Sequence, residues 1–294
     1  MNDRTRTGTI ETLTAEEQQL LPGEEDVAFY QAHGYYLSKK LFIDDEIDAA
    51  IAGSERYYAG ERDFPPPNGH QPAGWKPDDG DVLRKNDFAS LQNRELTALV
   101  RKPILGAVAA RLCGSGIRLW HDQLLYKPVS VPGSPISVGW HTDRQYWRSC
   151  TSDSMLTAWI PFHDCGEEMG TITMVDGSHT WPDNSERLDF FSNDLEGMEQ
   201  HFDTRGAAIV KVPMILPKGH VSFHQCRTIH GSPPNRSTAP RRAIAVHLQD
   251  ETNRYRAYRF SDGRLASHTN NRYCRTVDGE PDYTDPVICP QLWP

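Results

Sequence analysis

Apolar residues recur at helical spacing in three segments of the N-terminal third of the chain, as on helices that pack by one face. Gly34 follows the first of them, and a glycine in that position commonly ends a helix. Pro103 lies inside the third and predicts a break or restart there. The predicted helices span residues 25–33, 45–58 and 95–113.

After Gly116 the apolar pattern changes from helical spacing towards strict alternation, which is the period of a strand. Helices followed by a run of strands predict a β-sandwich core dressed with helices, an α+β chain that is mainly β. One interruption, residues 185–203, has helical spacing again. The predicted strands span residues 117–126, 136–143, 155–161, 170–175, 207–212, 220–229 and 242–248.

The same patterns divide the chain into a tail and one domain. Residues 1–23 are polar, and we expect poor order apart from a helix-capping signal at 14–17. Residues 24–294 form the predicted domain, which has a helical part (24–115), a β core (116–250) and a C-terminal tail (251–294). The Pro/Gly-rich loop 64–81 and this tail are candidate lids over a site in the core.

Composition and charge exclude some classes of function. The chain has 294 residues, with 31 basic and 40 acidic side chains, and the basic ones are scattered, which argues against nucleic acid as a partner. No apolar run approaches the ~18 residues of a membrane helix, and no secretory signal is visible. Six cysteines without a C-x-x-C pair indicate reduced thiols. We expect a cytoplasmic protein that acts on a small molecule, as a monomer or homodimer.

A candidate metal site stands out on the predicted strand 136–143. His141 and Asp143 are two positions apart, so an extended strand would direct both side chains to one face. His230, on a distant predicted strand, would complete the two-histidine, one-carboxylate set of non-haem Fe(II) oxygenases. His201 and Asp203 repeat the spacing within a predicted helical region, where side chains two apart diverge. We expect a surface histidine and a capping aspartate there.

Several ordered motifs resemble those of one known family. The run HGSPPNRS begins at His230, and Arg241 follows eleven positions after that histidine. Upstream lie TAWIP at 157–161, GTITMVDGSH at 170–179 and a strand that ends in Lys-Pro at 127–128. Together these are similar to the phytanoyl-CoA dioxygenase family of Fe(II)/2-oxoglutarate-dependent oxygenases. The resemblance covers about residues 24–250.

The resemblance implies a fold, cofactors and site residues. The fold would be a double-stranded β-helix, or cupin-like jelly roll, flanked by N-terminal helices. His141, Asp143 and His230 would bind Fe(II), with 2-oxoglutarate and O2 as cosubstrates. Related halogenating enzymes carry a small residue where this chain has Asp143, so hydroxylation is favoured over halogenation. The residues expected at the 2-oxoglutarate pocket are Arg241, Ser232, Gln123 and Trp159.

Arg241 suits that role physically, because a planar guanidinium can hold a carboxylate through two parallel hydrogen bonds. On an alternating strand it shares a face with Ala243, Ala245 and His247, and the small neighbours leave room for a cosubstrate. His247 itself is expected to be structural. His224, six residues before His230, is expected on the same strand face as a buried histidine that does not bind the metal.

The sequence constrains the substrate less than it constrains the fold and the metal site. Tyr146 and Trp147 follow the metal strand and are candidates for the substrate pocket. No concentrated basic patch is present for a CoA diphosphate, so a free small molecule, such as an intermediate of specialised metabolism, is favoured. Desaturation, epoxidation or cyclisation would use the same oxidant. Two other classes stay open: a cupin-like metal enzyme without 2-oxoglutarate, and a silent binding module.

Overall fold

The computed structural model describes residues 13–131 and 133–294. Residues 1–12, part of the expected disordered tail, lie outside the described residues. In the rest of that tail the helix-capping signal expected at 14–17 is present. Leu13 is buried in the largest apolar cluster, and Thr14 caps a short helix by accepting the Glu17 amide while the Glu17 carboxylate accepts the Thr14 amide. Reciprocal capping satisfies two amides that a helix start would otherwise leave unpaired.

Helices form the N-terminal part of the domain. The three predicted helices are confirmed, with the third divided at Pro103, which occupies the first turn of its second half. Gly34 ends the first of the three in the left-handed conformation (φ 81°), as glycine readily does. The helices of the described residues are α1 (Ala15–Gln18), α2 (Glu24–His33), α3 (Asp44–Tyr58), α4 (Arg94–Val100), α5 (Pro103–Cys113), α6 (Leu195–Glu199) and α7 (Asn270–Tyr273). None of these helices is long and apolar enough to cross a membrane.

Strands follow in two main sheets. In the described residues they are β1 (Tyr35–Leu37), β2 (Arg84–Asp87), β3 (Ile117–Lys127), β4 (Val138–His141), β5 (Leu156–Pro161), β6 (Thr173–Val175), β7 (Lys211–Pro213), β8 (Ser222–Gln225), β9 (His230–Ser232), β10 (Arg241–Asp250), β11 (Thr276–Val277), β12 (Glu280–Pro281) and β13 (Gln291–Trp293). The large sheet has the order β1-β8-β5-β10-β3-β13, with β2 also paired to β3, and the small sheet has the order β4-β9-β6-β7. The strands of both sheets pair antiparallel.

The central strand β10 shows how the layers are arranged. Ile244, Val246 and Leu248 belong to the apolar cluster shared with the helices. Ala243 and Ala245, on the alternate face, belong to the cluster that contains Met174 of the small sheet. Helices therefore cover one face of the large sheet and the small sheet covers the other. This is the predicted mainly β fold, a cupin-like jelly roll with N-terminal helices, and β10 directs Arg241 and His247 between the two sheets.

Two segment predictions are wrong. Residues 185–203 contain a three-residue 3-10 helix (Ser185–Arg187) and one five-residue α-helix, α6, and are otherwise turns and irregular chain. Asp189 accepts a hydrogen bond from the Phe191 amide two residues ahead, and such a local bond competes with a continuous helix, whereas Asp194 accepts the Gly197 amide and caps the start of α6. Residues 220–229 do not form one strand: β8 ends at Gln225 in the large sheet, and β9 begins at His230 in the small sheet. His224 and His230 therefore lie on different strands, in different sheets.

Asp122 is a fully buried carboxyl on β3. It accepts hydrogen bonds from the Ser90 amide at 3.0 Å and the Ser90 hydroxyl at 2.6 Å, which ties the large sheet to the turn before α4. Burial raises the pKa of Asp122 to about 6, against the hydrogen bonds from Ser90 that lower it. Ionisation of this side chain therefore opposes folding.

We expect Asp122→Asn to gain stability relative to the wild type as pH rises from 4 to 7. Between the two pKa values the unfolded wild type has lost its proton while the folded form still holds it, so the rise from pH 4 to 7 favours unfolding by about 2 kcal/mol. The asparagine side chain of the variant disturbs a hydrogen bond with Ser90 at both pH values, so this effect cancels when the two pH values are compared. Urea denaturation at the two pH values measures the difference, and an unchanged difference in unfolding free energy would contradict the assignment.

Candidate metal centre

His141, Asp143 and His230 lie together between the sheets. His141 ends β4 and pairs in register with His230 of β9. Thr142 is extended (φ −120°, ψ 145°), so Asp143 returns to the face of His141 before the chain turns. One ligand atom from each of the three side chains lies within 4.8 Å of the others, and all three residues are buried. The set is compact enough to hold one metal ion.

Backbone carbonyls orient both imidazoles in the same way. Nδ1 of His141 lies 2.9 Å from the Gly139 carbonyl oxygen, and Nδ1 of His230 lies 2.9 Å from that of Thr228. A carbonyl only accepts, so each Nδ1 bears the proton and each Nε2 presents a lone pair. Burial lowers the pKa of His141 to about 4 and that of His230 well below its usual value. Both rings are therefore neutral at pH 7, which metal binding requires.

The two carboxylate oxygens of Asp143 differ in their surroundings. Oδ2 accepts the hydroxyl hydrogen of Thr157 and lies 3.2 Å from Nε2 of His224, whereas Oδ1 lies 3.8 Å from Nε2 of His230. Burial alone would raise the pKa of Asp143, but the imidazoles of His247 and His224 outweigh it and hold the pKa well below its usual value. A charged carboxylate with one oxygen anchored leaves the other for a metal.

Arg241 is a buried cation at the start of β10. It is 4% exposed, it donates to the Gly170 carbonyl, and it lies over the Trp159 ring at 5.5 Å. Its Nε has no hydrogen-bond partner, and no carboxylate within the described residues forms an ion pair with it. Burial lowers its pKa to about 10, so the group stays charged at neutral pH. An unpaired buried charge is costly, which makes this guanidinium a ready anion site.

Lys127 prepares the hydroxyl beside Arg241. Its ammonium donates to Ser232 Oγ at 2.7 Å and to the Ser232 carbonyl at 3.1 Å, and it also contacts the Pro233 carbonyl. Since the hydroxyl oxygen accepts from Lys127, its hydrogen remains free to donate to a ligand. Burial and the neighbouring Arg241 lower the pKa of Lys127 well below its usual value. The Lys-Pro motif singled out this lysine, but its contact with Ser232 was not predicted.

A single cavity joins the metal site to Arg241. The triad, Arg241 and Ser232 all line it, as do Gln123 and Trp159, so the residues expected to bind 2-oxoglutarate are brought together. Residues 30–243 match the family described as Phytanoyl-CoA dioxygenase (PhyH). The chain belongs to the phytanoyl-CoA dioxygenase family. It is a non-haem dioxygenase that depends on Fe(II), 2-oxoglutarate and O2.

Curated relatives in this family act on different molecules. The peroxisomal phytanoyl-CoA dioxygenase of Rattus norvegicus is 23% identical over 79% of this chain and 69% of the relative. A probable alpha-ketoglutarate-dependent hypophosphite dioxygenase of Stutzerimonas stutzeri is 28% identical over 56% of each chain. The ectoine dioxygenase of Bordetella bronchiseptica is 25% identical over 74% of this chain and 72% of its own length. Membership in the family thus leaves the substrate open.

Solved structures of phytanoyl-CoA dioxygenase type share the fold. The carbocyclase SnoK of nogalamycin biosynthesis superposes with a TM-score of 0.66, at 24% identity over 88% of this chain and 93% of that one. EctD from S. alaskensis, with 2-oxoglutarate and 5-hydroxyectoine, gives 0.61 at 18% identity over 84% and 81%. At these identities the likeness supports the jelly-roll fold.

The remaining predicted positions fall in different places. Tyr146 and Trp147 do not line the Arg241 cavity; they line a second cavity that also contacts the metal triad. Tyr146 is 47% exposed, while Trp147 is 2% exposed and packs edge-on against His247 at 5.1 Å. His201 is exposed, as expected, whereas the Asp203 carboxylate accepts the Arg205 amide in a turn and caps no helix, so the capping role expected for it is wrong.

Phe190 was missed by the sequence analysis because it lies in the segment expected to be helical. Its ring meets that of His141 at 4.8 Å, and its carbonyl accepts the Gly139 amide at 2.8 Å. It lines both cavities, so the covering segment, residues 185–194, reaches the metal site through this one side chain. The candidate lid 64–81 contributes no residue to either cavity lining, and its lid role stays a prediction. The C-terminal tail contributes residues 267–269 to the second cavity.

Gly139 allows this close approach, because a Cβ there would overlap the Asp189 carbonyl oxygen. We expect Gly139→Ala to force residues 185–194 away from β4. The contact between this segment and the strand should be destabilised by about 2 kcal/mol. Limited chymotrypsin digestion should then cut near Phe190 and Phe191 faster than in the wild type.

Gly23→Ala is the matched control, since its added Cβ meets one carboxylate oxygen at 3.7 Å, an ordinary contact. Equal digestion rates for Gly139→Ala and wild type would show that the glycine does not hold the covering segment.

Proposed function

We propose that His141, Asp143 and His230 bind Fe(II) through the two Nε2 atoms and Asp143 Oδ1. The proposal is supported by the buried, compact set of donors and by carbonyls that leave both Nε2 atoms as acceptors. Neutral imidazole and a carboxylate suit Fe(II), and three protein ligands on one face leave positions open for cosubstrates.

We further propose that Arg241 and Ser232 bind the far carboxylate of 2-oxoglutarate. The observation that carries this assignment is the buried, unpaired guanidinium at one end of a cavity whose other end is the metal triad. A bidentate arginine fixes the carboxylate in one orientation, and the free hydroxyl hydrogen of Ser232 adds a second donor. Gln123 and Trp159 line the cavity between the two ends.

The proposed reaction is hydroxylation of a small molecule, with 2-oxoglutarate and O2 converted to succinate and CO2. The bound iron supplies the oxidant that removes a hydrogen atom from a substrate C–H bond; desaturation, epoxidation or cyclisation would begin at the same step. The protein holds the ligands in place, and Phe190 shields the metal face from water. A role in specialised metabolism, the cytoplasmic location and the oligomeric state stay predictions.

Anaerobic reconstitution tests the site assignment. Apo-protein with Fe(II) and 2-oxoglutarate should show a weak visible charge-transfer band, which reports 2-oxoglutarate bound to the metal. His141→Ala should lose the band because a metal ligand is gone. Arg241→Ala should raise the Kd of 2-oxoglutarate about thirtyfold or more, since its carboxylate would lose a buried charged partner.

Arg242→Ala is the matched control. Arg242 is the next residue on β10 but faces outwards, where its guanidinium lies 3.3 Å from Glu55, and its removal should leave the Kd unchanged. Fe(II) binding without a band in the wild type would favour a cupin-like enzyme that does not use 2-oxoglutarate. Failure to bind Fe(II) would favour a silent binding module.

A further inference from the structure

The second cavity, called the chamber below, adjoins the Arg241 cavity at the metal triad. His141, Asp143 and Phe190 line both cavities, so the chamber opens directly onto the proposed metal position. Lys85, Gln123 and His247 also line both cavities, and the chamber has further walls from β2, β3, the turn after β4 and the C-terminal tail. Those additional residues are Asp87, His121, Tyr146, Trp147, Ser267, His268 and Thr269.

The hydrogen-bond chain behind Asp143 determines the tautomer of His247. The Thr157 hydroxyl donates to Asp143 Oδ2, so its oxygen can only accept from Nδ1 of His247, which lies 2.7 Å away. Nδ1 therefore bears the proton, and Nε2 is a bare acceptor. This Nε2 is buried and has no partner among the described residues. His247, expected to be structural, thus presents a lone pair to the chamber that it lines.

His121 and Asp87 add further unpartnered polar atoms. Both ring nitrogens of His121, a 2% exposed residue, lack a partner among the described residues, as does the buried Oδ1 of Asp87. The His121 ring packs against those of His247 and His268, with centroids 4.3 and 4.7 Å apart. Buried polar groups without partners are rare in folded proteins, and a cluster of them around a cavity indicates that a ligand supplies the missing bonds.

The missing bonds are mainly of one kind. His247 Nε2, Asp87 Oδ1 and one nitrogen of neutral His121 are acceptors, whereas His121 offers a single N–H donor. A ligand that satisfies these buried atoms must carry more donors than acceptors where it meets them, whereas the Lys85 ammonium, which also lines the chamber, lies over the Phe190 ring at 5.2 Å. Tyr146, Trp147 and Phe190 supply aromatic walls, against which an apolar frame can pack. An acyl chain would leave every one of these polar atoms unpaired, at a free-energy cost for each.

We propose that this chamber binds the substrate of the reaction, and that the substrate is a small molecule whose apolar frame carries at least two hydroxyl or amino groups. His247, His121 and Asp87 accept hydrogen bonds from those groups and so position the frame beside the metal. The inference rests on the proposed function, since the chamber is defined by its opening onto the metal triad. It sets this chain apart from an enzyme for acyl thioesters.

A matched pair of probes tests the preference for donors. Resorcinol and its dimethyl ether have the same aromatic frame, but the ether has no hydrogen-bond donor. Anaerobic titration calorimetry of protein loaded with Fe(II) and 2-oxoglutarate should give a Kd for resorcinol about tenfold lower than for the ether, the factor for one hydrogen bond left unmade at a buried partner. Octanoyl-CoA should bind more weakly than resorcinol.

Variants at His121 assign the preference to the chamber. His121→Phe keeps an aromatic ring but no polar atom, and should bring the two Kd values together; His121→Gln retains a donor and an acceptor and should keep most of the difference. His201→Phe, at an exposed histidine outside the chamber, should behave as wild type. In all three variants an unchanged charge-transfer band with 2-oxoglutarate shows that the metal site is intact.

The possible outcomes separate the two proposals. Equal binding of the two probes, tighter binding of octanoyl-CoA, or a preference for resorcinol that persists in His121→Phe would each overturn the substrate class. These results, obtained with a wild-type protein that shows the band, would leave the proposed oxygenase site standing. Absence of the band in the wild type would instead contradict the oxygenase site, whatever the probes do.

Discussion

The pairing of β4 with β9 is the interaction on which the metal centre depends. Antiparallel pairing places His141 opposite His230, and residues directly opposite on neighbouring strands lie about 5 Å apart. The small sheet that contains this pair packs on the inward face of β10, which carries Arg241 at one end and His247 towards the other. The position of the metal between the cosubstrate cavity and the second chamber thus follows from two rigid sheets. A shift of one residue in the pairing would turn either histidine away.

The sequence predicted those parts of the molecule that are encoded locally. Helical and alternating periods located the helices, including the break at Pro103, and most of the strands, because each period reflects which face is buried. The motif spacing brought His230, Ser232 and Arg241 into one hypothesis, and the structure places all three around one cavity with His141 and Asp143.

Contacts between distant segments were beyond the reach of periodicity. His224 and His230, expected on one strand face, are separated by a turn, and the two histidines still meet, with ring centroids 4.3 Å apart, because two different sheets face each other. Residues 185–203 have helical spacing, yet their aspartates bond to their own backbone and bring Phe190 over the metal face. His268 reaches the chamber from the tail, which no local pattern could indicate.

The site differs from an ordinary protein core because it buries charged side chains. Asp143 carries a negative charge there, and Arg241 carries a positive charge that has no carboxylate partner in the described residues; Lys127 beside it has its pKa pushed down by burial and by Arg241. In the proposed complex, Fe(II) and the dianion of 2-oxoglutarate add equal and opposite charges, so Asp143 faces the metal and Arg241 faces a carboxylate. Each ligand then compensates a charge that the fold leaves unpaired, and the binding of one should strengthen that of the other. An apolar core at this place would make the folded protein more stable. The buried charges instead select a dicarboxylate, and such a loss of stability is expected at functional sites.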